Sequence, residues 1–256
     1  TPCGTLFPYT TLFRSLLFLY VLPGNAYVFG TGLLAVAAVR DVWLPLAGGF
    51  VIGWLGYRLL VARIAGFDTF EHELTHALVA LLFLRPVTGF RVTRHEGGWV
   101  SYGGGLGGAF ANDMIGLAPY FLPTFTVVLA IAYPWIPTDW SLGVLVAMGA
   151  TLAYHTFSTL AETRQSWTST SFTRAGSTEL VHSDIAQAGH LYSAITIASL
   201  ALGLHAAIWW IAVDGYAGFA SAWHDAWRVG GTSWRWVGEL LMVGWRALRD
   251  LVAGVV

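Results

Sequence analysis

The chain has 256 residues, 56% of them hydrophobic and 11% charged, with a formal net charge of −1 and a mean hydropathy of +0.63. Its basic residues are thirteen arginines and no lysine, scattered through loops and the C-terminal end, which excludes the clustered basic surface that a nucleic-acid partner requires. Several apolar stretches approach the ~20 residues of a spanning helix, so composition predicts an all-α membrane protein, a polytopic bundle of about six transmembrane helices in the lipid bilayer.

Residues 5–15, TLFPYTTLFRS, are similar throughout to the in-frame translation of a short-read sequencing adapter. Residues 1–15 are therefore set apart as an artefactual or foreign N-terminus, Cys3 included, which leaves no disulfide framework in the remainder. A membrane-embedded domain over 16–213 and a Trp/Arg-rich tail over 214–256 follow.

The first apolar stretch, Leu16 to Val39, is broken by Pro23-Gly24 and reads as a kinked span or the remnant of a truncated one. A second runs from Val42 to about Ala62 and carries Arg58, which can snorkel towards an interface. The third, Phe67 to Leu84, stops at Arg85-Pro86, because proline cannot continue a helix. From Val87 to Gly108 the pattern becomes short, β-branched and glycine-rich, predicting a β-hairpin over Gly89 to Tyr102 and a Gly103-Gly104-Gly105 hinge. No strand-loop-helix unit or Lys-Ser/Thr pair accompanies those glycines, so they do not read as a phosphate cradle.

Two further spans are expected over Asp113 to Trp135, with Pro119 and Pro123 inside, and over Trp140 to Leu160, with His155. A polar connector, Ala161 to Val181, leads to a sixth apolar helix from Ser183 to Val213. In the tail, Trp234, Val237, Leu241, Trp245, Leu248 and Leu251 keep helical spacing, with Arg235, Glu239, Arg246 and Asp250 off that stripe. This predicts an amphipathic helix lying in the membrane interface, with a further spanning helix as the alternative. If the third span ends on the cytoplasmic side, Arg40, Arg85, Arg91, Arg94, Arg164 and Arg174 fall there, with Arg63 and the basic tail opposite. Lysine-free, Ala/Gly/Trp-rich composition suggests a GC-rich coding sequence, hence an integral protein of a bacterial inner membrane.

The third span holds His72-Glu73-Leu74-Thr75-His76, an H-E-x-x-H sequence. On a helix, positions i and i+4 share one face, so both imidazoles can bind one Zn²⁺ while Glu73 stands beside its open position. Within hydrocarbon, two imidazoles and a carboxylate side by side are expensive unless something binds them. A catalytic zinc site takes three protein ligands, so the chain must supply another. Asp184, entering the sixth span, is the leading candidate; its alternative is a helix-start acid stabilised by backbone amides and the dipole. His155, His182, Asp113 and His190 are reserves.

With those residues in place, the chain resembles the site-2 protease family of intramembrane zinc metalloproteases, and within it a compact bacterial branch. The resemblance covers roughly 67–193 through the H-E-x-x-H, the hairpin, Leu117-Ala118-Pro119-Tyr120-Phe121-Leu122-Pro123, Tyr154-His155, and Ser183-Asp184-Ile185 with Gly189. Better-known members carry their aspartate in an Asn-Pro-containing stretch ending Asp-Gly, and neither feature accompanies Asp184. The resemblance implies Zn²⁺ held by His72, His76 and Asp184, with Glu73 as general base and acid in cleaving a transmembrane protein substrate. The hairpin would either offer an edge strand to the unwound substrate or plug the site. His155, Gly98, Trp99 and Ser101 are the candidates for ligand support or substrate contact. The competing expectation is a metal- or proton-handling transporter, or a scaffold with a relic site; a transporter has no specific need for Glu73.

Overall fold

The computed structural model describes residues 8–59, 67–93, 97–168, 172–173, 180–181 and 183–253. Helix α1 (Pro8–Ala38) accommodates Pro23 within a continuous helix, and α2 (Arg40–Leu59) follows it almost directly. Helix α3 (Phe67–Leu82) bears the H-E-x-x-H and is followed by β1 (Val87–Val92) and β2 (Gly98–Tyr102). Then come α4 (Gly108–Phe121), α5 (Thr124–Ala132), a 3₁₀ turn (Tyr133–Trp135), α6 (Thr138–Thr168), β3 (Phe172–Thr173), β4 (Leu180–Val181), α7 (Asp184–Ala188) and α8 (His190–Ala253).

Four helices are long and apolar enough to cross a bilayer, with spans at Phe13–Ala38, Arg40–Leu59 and Thr138–Trp167 and a fourth beginning at His190. Gly108–Phe121 and Thr124–Trp135, bent by 84°, make a fifth if taken as one broken span. Helix α3 has 16 residues. At 1.5 Å per residue it is about 24 Å long, short of the ~30 Å hydrocarbon core. The six spans expected from hydropathy are therefore not reached among the described residues, and the helix with the histidines is the shortfall.

Close packing of small residues joins α2 to α6. A β-carbon at Gly49, Gly53 or Gly149 would run into the facing backbone at Val146, Ala150 or Leu46. Such close approach is how helices associate in lipid, where burying apolar side chains gives no advantage over lipid contact. Leu46, Leu145, Met148 and Ile208 fill the adjoining core.

Helix α8 reverses at Asp214 (φ −137°) and Gly215 (φ 61°), both non-helical. On its first arm Ser199 O accepts from Asn25 Nδ2 at 2.8 Å and Trp209 packs on Phe29, so this arm runs parallel to α1. On the second arm the order inverts: Ala222 clusters with Val28, Ala226 faces Gly24, and Trp234 stacks on Tyr20 with ring centroids 6.2 Å apart. The tail, expected as an amphipathic helix in the membrane interface, is helical to Ala253 and packs antiparallel along α1 between Tyr20 and Val28. Ala222, Ala226 and Gly230 form its contact stripe at i, i+4 spacing. Trp234, the first residue of the apolar stripe, continues that contact one turn after Gly230. From Trp236 to Arg246 the side chains are exposed.

The hairpin forms as expected, antiparallel with Phe90 opposite Val100 and Val92 opposite Gly98. Arg85 anchors its root: its guanidinium donates to Gly108 O at 2.7 Å and to Asn112 Oδ1, and lies over the Tyr102 ring. A second correction concerns α6, which continues past Leu160 to Thr168, so the first eight residues of the expected polar connector are helical.

Candidate metal centre

The histidines are presented by α3, whose buried side includes Glu73, Thr75, His76, Val79 and Ala80. Asp184 arrives on α7. Ser183 is the N-cap of that short helix, its Oγ accepting from Ala186 N at 3.3 Å, and Asp184 is its first-turn acid, so the helix-start position expected as the alternative is the one Asp184 takes. The Asp184 carboxylate also faces α3, with Oδ2 3.6 Å from His72 Nε2 and 3.7 Å from His76 Nε2. Gly189, at φ 95°, ends α7 before α8 begins.

Both remaining imidazole nitrogens are engaged elsewhere. His72 Nδ1 lies 2.8 Å from Glu162 Oε2, and His76 Nδ1 lies 2.7 Å from Ile115 O. A carbonyl only accepts, so His76 Nδ1 carries a proton; the carboxylate favours the same tautomer in His72. Each Nε2 then directs a lone pair towards Asp184. Three acceptors thus converge with their ligand atoms all within 4.8 Å of one another. The separations of 3.6 and 3.7 Å are too long for direct hydrogen bonds. They approximate the edge of a tetrahedron of about 3.3 Å around a cation with bonds of ~2.0–2.1 Å. The donor set therefore fits a metal ion.

The acceptor for His76 has a local cause in α4. Pro119 has no N–H, so the Ile115 carbonyl four residues earlier has no intrahelical donor and is open to His76. The pattern repeats one turn on: Pro123 leaves Pro119 O free, and Thr159 Oγ1 donates to it at 3.2 Å. The two prolines expected to kink a span thus supply carbonyl acceptors beside the site, and they also produce the 84° bend.

Glu73 is buried beneath the hairpin. A β-carbon at Gly98 would lie 2.5 Å from Glu73 Cγ and 2.9 Å from its Oε1, so only glycine lets β2 cross there. Gly98 accordingly contacts the site. Trp99 and Ser101 alternate onto the other face of the strand, where they lie against Gly89. His155, 4% exposed, is also outside the centre; its Nδ1 lies 3.6 Å from Glu71 Oε1, and Thr159 Oγ1 lies 3.3 Å from that Nδ1. Among the reserve ligands, Asp113 pairs with Arg14 and His190 packs edge-on against Trp167. His182 lies outside the described residues.

Two contributors were missed in the sequence, Glu162 and Tyr120. Tyr120 packs edge-on to the His72 ring with centroids 5.7 Å apart, and its hydroxyl is 2.9 Å from Ser166 Oγ. A signal for Glu162 existed: His155, Thr159, Glu162 and Ser166 keep one helical stripe past Leu160, as a continuing helix would. Comparison with models of known families, with characterised proteins and with solved structures finds no match, so the reading of this centre rests on its own geometry.

Proposed function

We propose that this protein is an intramembrane zinc endopeptidase that hydrolyses a peptide bond in or near a transmembrane segment of a membrane-protein substrate. The observation that carries the reading is the convergence of His72 Nε2, His76 Nε2 and Asp184 Oδ2 with both Nδ1 atoms already anchored. Two imidazoles and one carboxylate suit Zn²⁺, and three protein ligands leave the open position typical of catalytic sites. Bound there, zinc would supply Lewis acidity towards water and towards the scissile carbonyl.

The chain's own residues perform the remaining steps. Glu73, one residue from a ligand and screened from bulk solvent by β2, is the base that takes a proton from the attacking water. It then returns that proton to the departing amine nitrogen, so that water is consumed and one amide becomes a carboxylate and an amine. Asp184 and the two histidines hold their positions through this cycle, fixed by Ser183, Glu162 and Ile115. A substrate helix must unwind before cleavage, because its carbonyls are held in intrahelical bonds. The proposed location is a bacterial inner membrane.

The test is to purify the protein in detergent, quantify zinc, and assay cleavage of transmembrane test segments beside a Glu73→Gln control. Stoichiometric zinc, cleavage by the wild type and none by Glu73→Gln are expected. Zinc without Glu73-dependent cleavage would refute the peptidase in favour of a metal-handling membrane protein.

A further inference from the structure

The last turns of α6 touch His72, Tyr120 and Ser183. Glu162 Oε2 meets His72 Nδ1 at 2.8 Å. One turn on, Ser166 Oγ is 2.9 Å from the Tyr120 hydroxyl, and Ser166 O accepts from Ser183 Oγ at 2.9 Å. Ser183 is the N-cap residue of the helix that carries Asp184. One short stretch of backbone therefore sets the outer nitrogen of one histidine and the capping residue next to the carboxylate.

We propose that Glu162 is a positioning residue of the metal centre, acting through His72, and that the α6 segment from Glu162 to Ser166 is the bracket that holds His72 and the start of the helix carrying Asp184. This rests on the metal-site reading above and deepens it. A histidine ligand turns freely about its Cα–Cβ and Cβ–Cγ bonds until its second nitrogen is held; accepting from Nδ1–H fixes the ring and keeps the Nε2 lone pair on the metal side. His72 Nδ1 has this partner on another helix, Glu162 Oε2 at 2.8 Å. Losing an outer partner of this kind typically costs roughly 10–100-fold in metal affinity.

The bracket also explains the polar composition of Ala161 to Thr168. A loop there could not hold Glu162 and Ser166 in fixed register, whereas on a helix they lie on one face one turn apart. The centre is in this way joined to α6, and α6 to α2 through the glycine contacts already described.

The experiment uses the full chain in detergent with zinc alone as the probe. Zinc affinity is measured by chelator competition, and the ligand field by the visible spectrum of the cobalt-substituted protein, for wild type, Glu162→Gln and Glu162→Leu. The expectation is a loss of roughly 10–100-fold for Glu162→Leu with an altered cobalt spectrum. Glutamine keeps an oxygen that can accept from Nδ1–H, so Glu162→Gln should stay within about threefold of wild type with an unchanged spectrum. Equal affinity in Glu162→Leu overturns the proposal, and so does a glutamine variant as weak as leucine, because the carboxylate would then act as a charge or a ligand. Should the leucine variant fail to fold, by its melting curve, the glutamine result decides by the same threefold limit. A wild type that binds no zinc defeats the metal-site reading itself; zinc bound normally by wild type and Glu162→Leu alike defeats only the role of Glu162.

Discussion

Substituting Gly98 by alanine tests how the hairpin and the catalytic carboxylate are joined. The added methyl would lie 2.5 Å from Glu73 Cγ, 2.8 Å from Thr69 Cγ2 and 2.9 Å from Glu73 Oε1. Carbon atoms settle at about 3.5–4.0 Å, so the overlap is about 1 Å and cannot be absorbed by bond flexing. Either β2 lifts by that amount or Glu73 leaves its rotamer. A 1 Å misplacement of a reacting group costs on the order of 100-fold in rate, and overpacking costs about 1–3 kcal/mol of stability. The metal ligands stand on α3 and α7 and their anchors on α4 and α6, so zinc affinity should be unchanged. The assay is single-turnover cleavage of a reconstituted transmembrane segment, with zinc affinity measured on the same preparation. Gly104→Ala, where a β-carbon meets nothing within 4 Å, is the control. A Gly98→Ala protein that cleaves at the wild-type rate would refute the packing of β2 on Glu73. One that loses zinc would refute the independence of hairpin and metal ligands.

Asp184→Ala should lower zinc affinity by more than any second-contact change, beyond roughly 100-fold, with chelator competition as the readout; full zinc occupancy at micromolar metal would remove it from the ligand set. Pro119→Ala restores an N–H that competes for Ile115 O, and a loss of zinc affinity towards 10-fold is expected, with an unchanged value counting against the proline-released carbonyl. His155→Leu removes the ring that lies 3.6 Å from Glu71 Oε1 and leaves that polar group, in a residue 2% exposed, with an apolar neighbour, so melting in detergent should show a loss of roughly 1–3 kcal/mol. Adding Glu71→Leu should recover much of that loss, and additive losses would show the pair to be uncoupled. Gly49→Leu should separate α2 from α6 and lower the melting temperature, while Gly48→Leu, where nothing lies within 4 Å, should not.

The amount legible from the sequence varied with how local the governing physics is. The hairpin declared itself through β-branched residues between glycines, and the stop of α3 through Arg85-Pro86. The pairing of His72 with His76 required only helical geometry. Asp184 was nominated by the cost of a carboxylate entering a membrane, and its neighbour Ser183 proved to be the cap that frees it for another task. Errors arose where polar residues in a helix were read as loop. Glu162 and Ser166 looked like connector because hydropathy averages over a window, and their bonds to His72, Tyr120 and Ser183 span distances in sequence that no window covers. The contact of the second arm of α8 with α1 was hidden for a related reason, since Ala222, Ala226 and Gly230 pack closely because they are small, a property that a hydrophobic stripe does not register.

By itself the sequence determined that this chain is helical, with several helices long and apolar enough to cross a membrane and an H-E-x-x-H turn on a buried helix, because composition and helical period act residue by residue. Tertiary structure decided which acid completes the triad, which groups set the outer nitrogens of the two histidines, and where the tail lies. Those outcomes depend on the break at Gly189, the reversal at Asp214-Gly215 and the carbonyls released by Pro119 and Pro123. Each is a local event whose consequence is a contact between distant segments, and such contacts are set only when all the helices have packed.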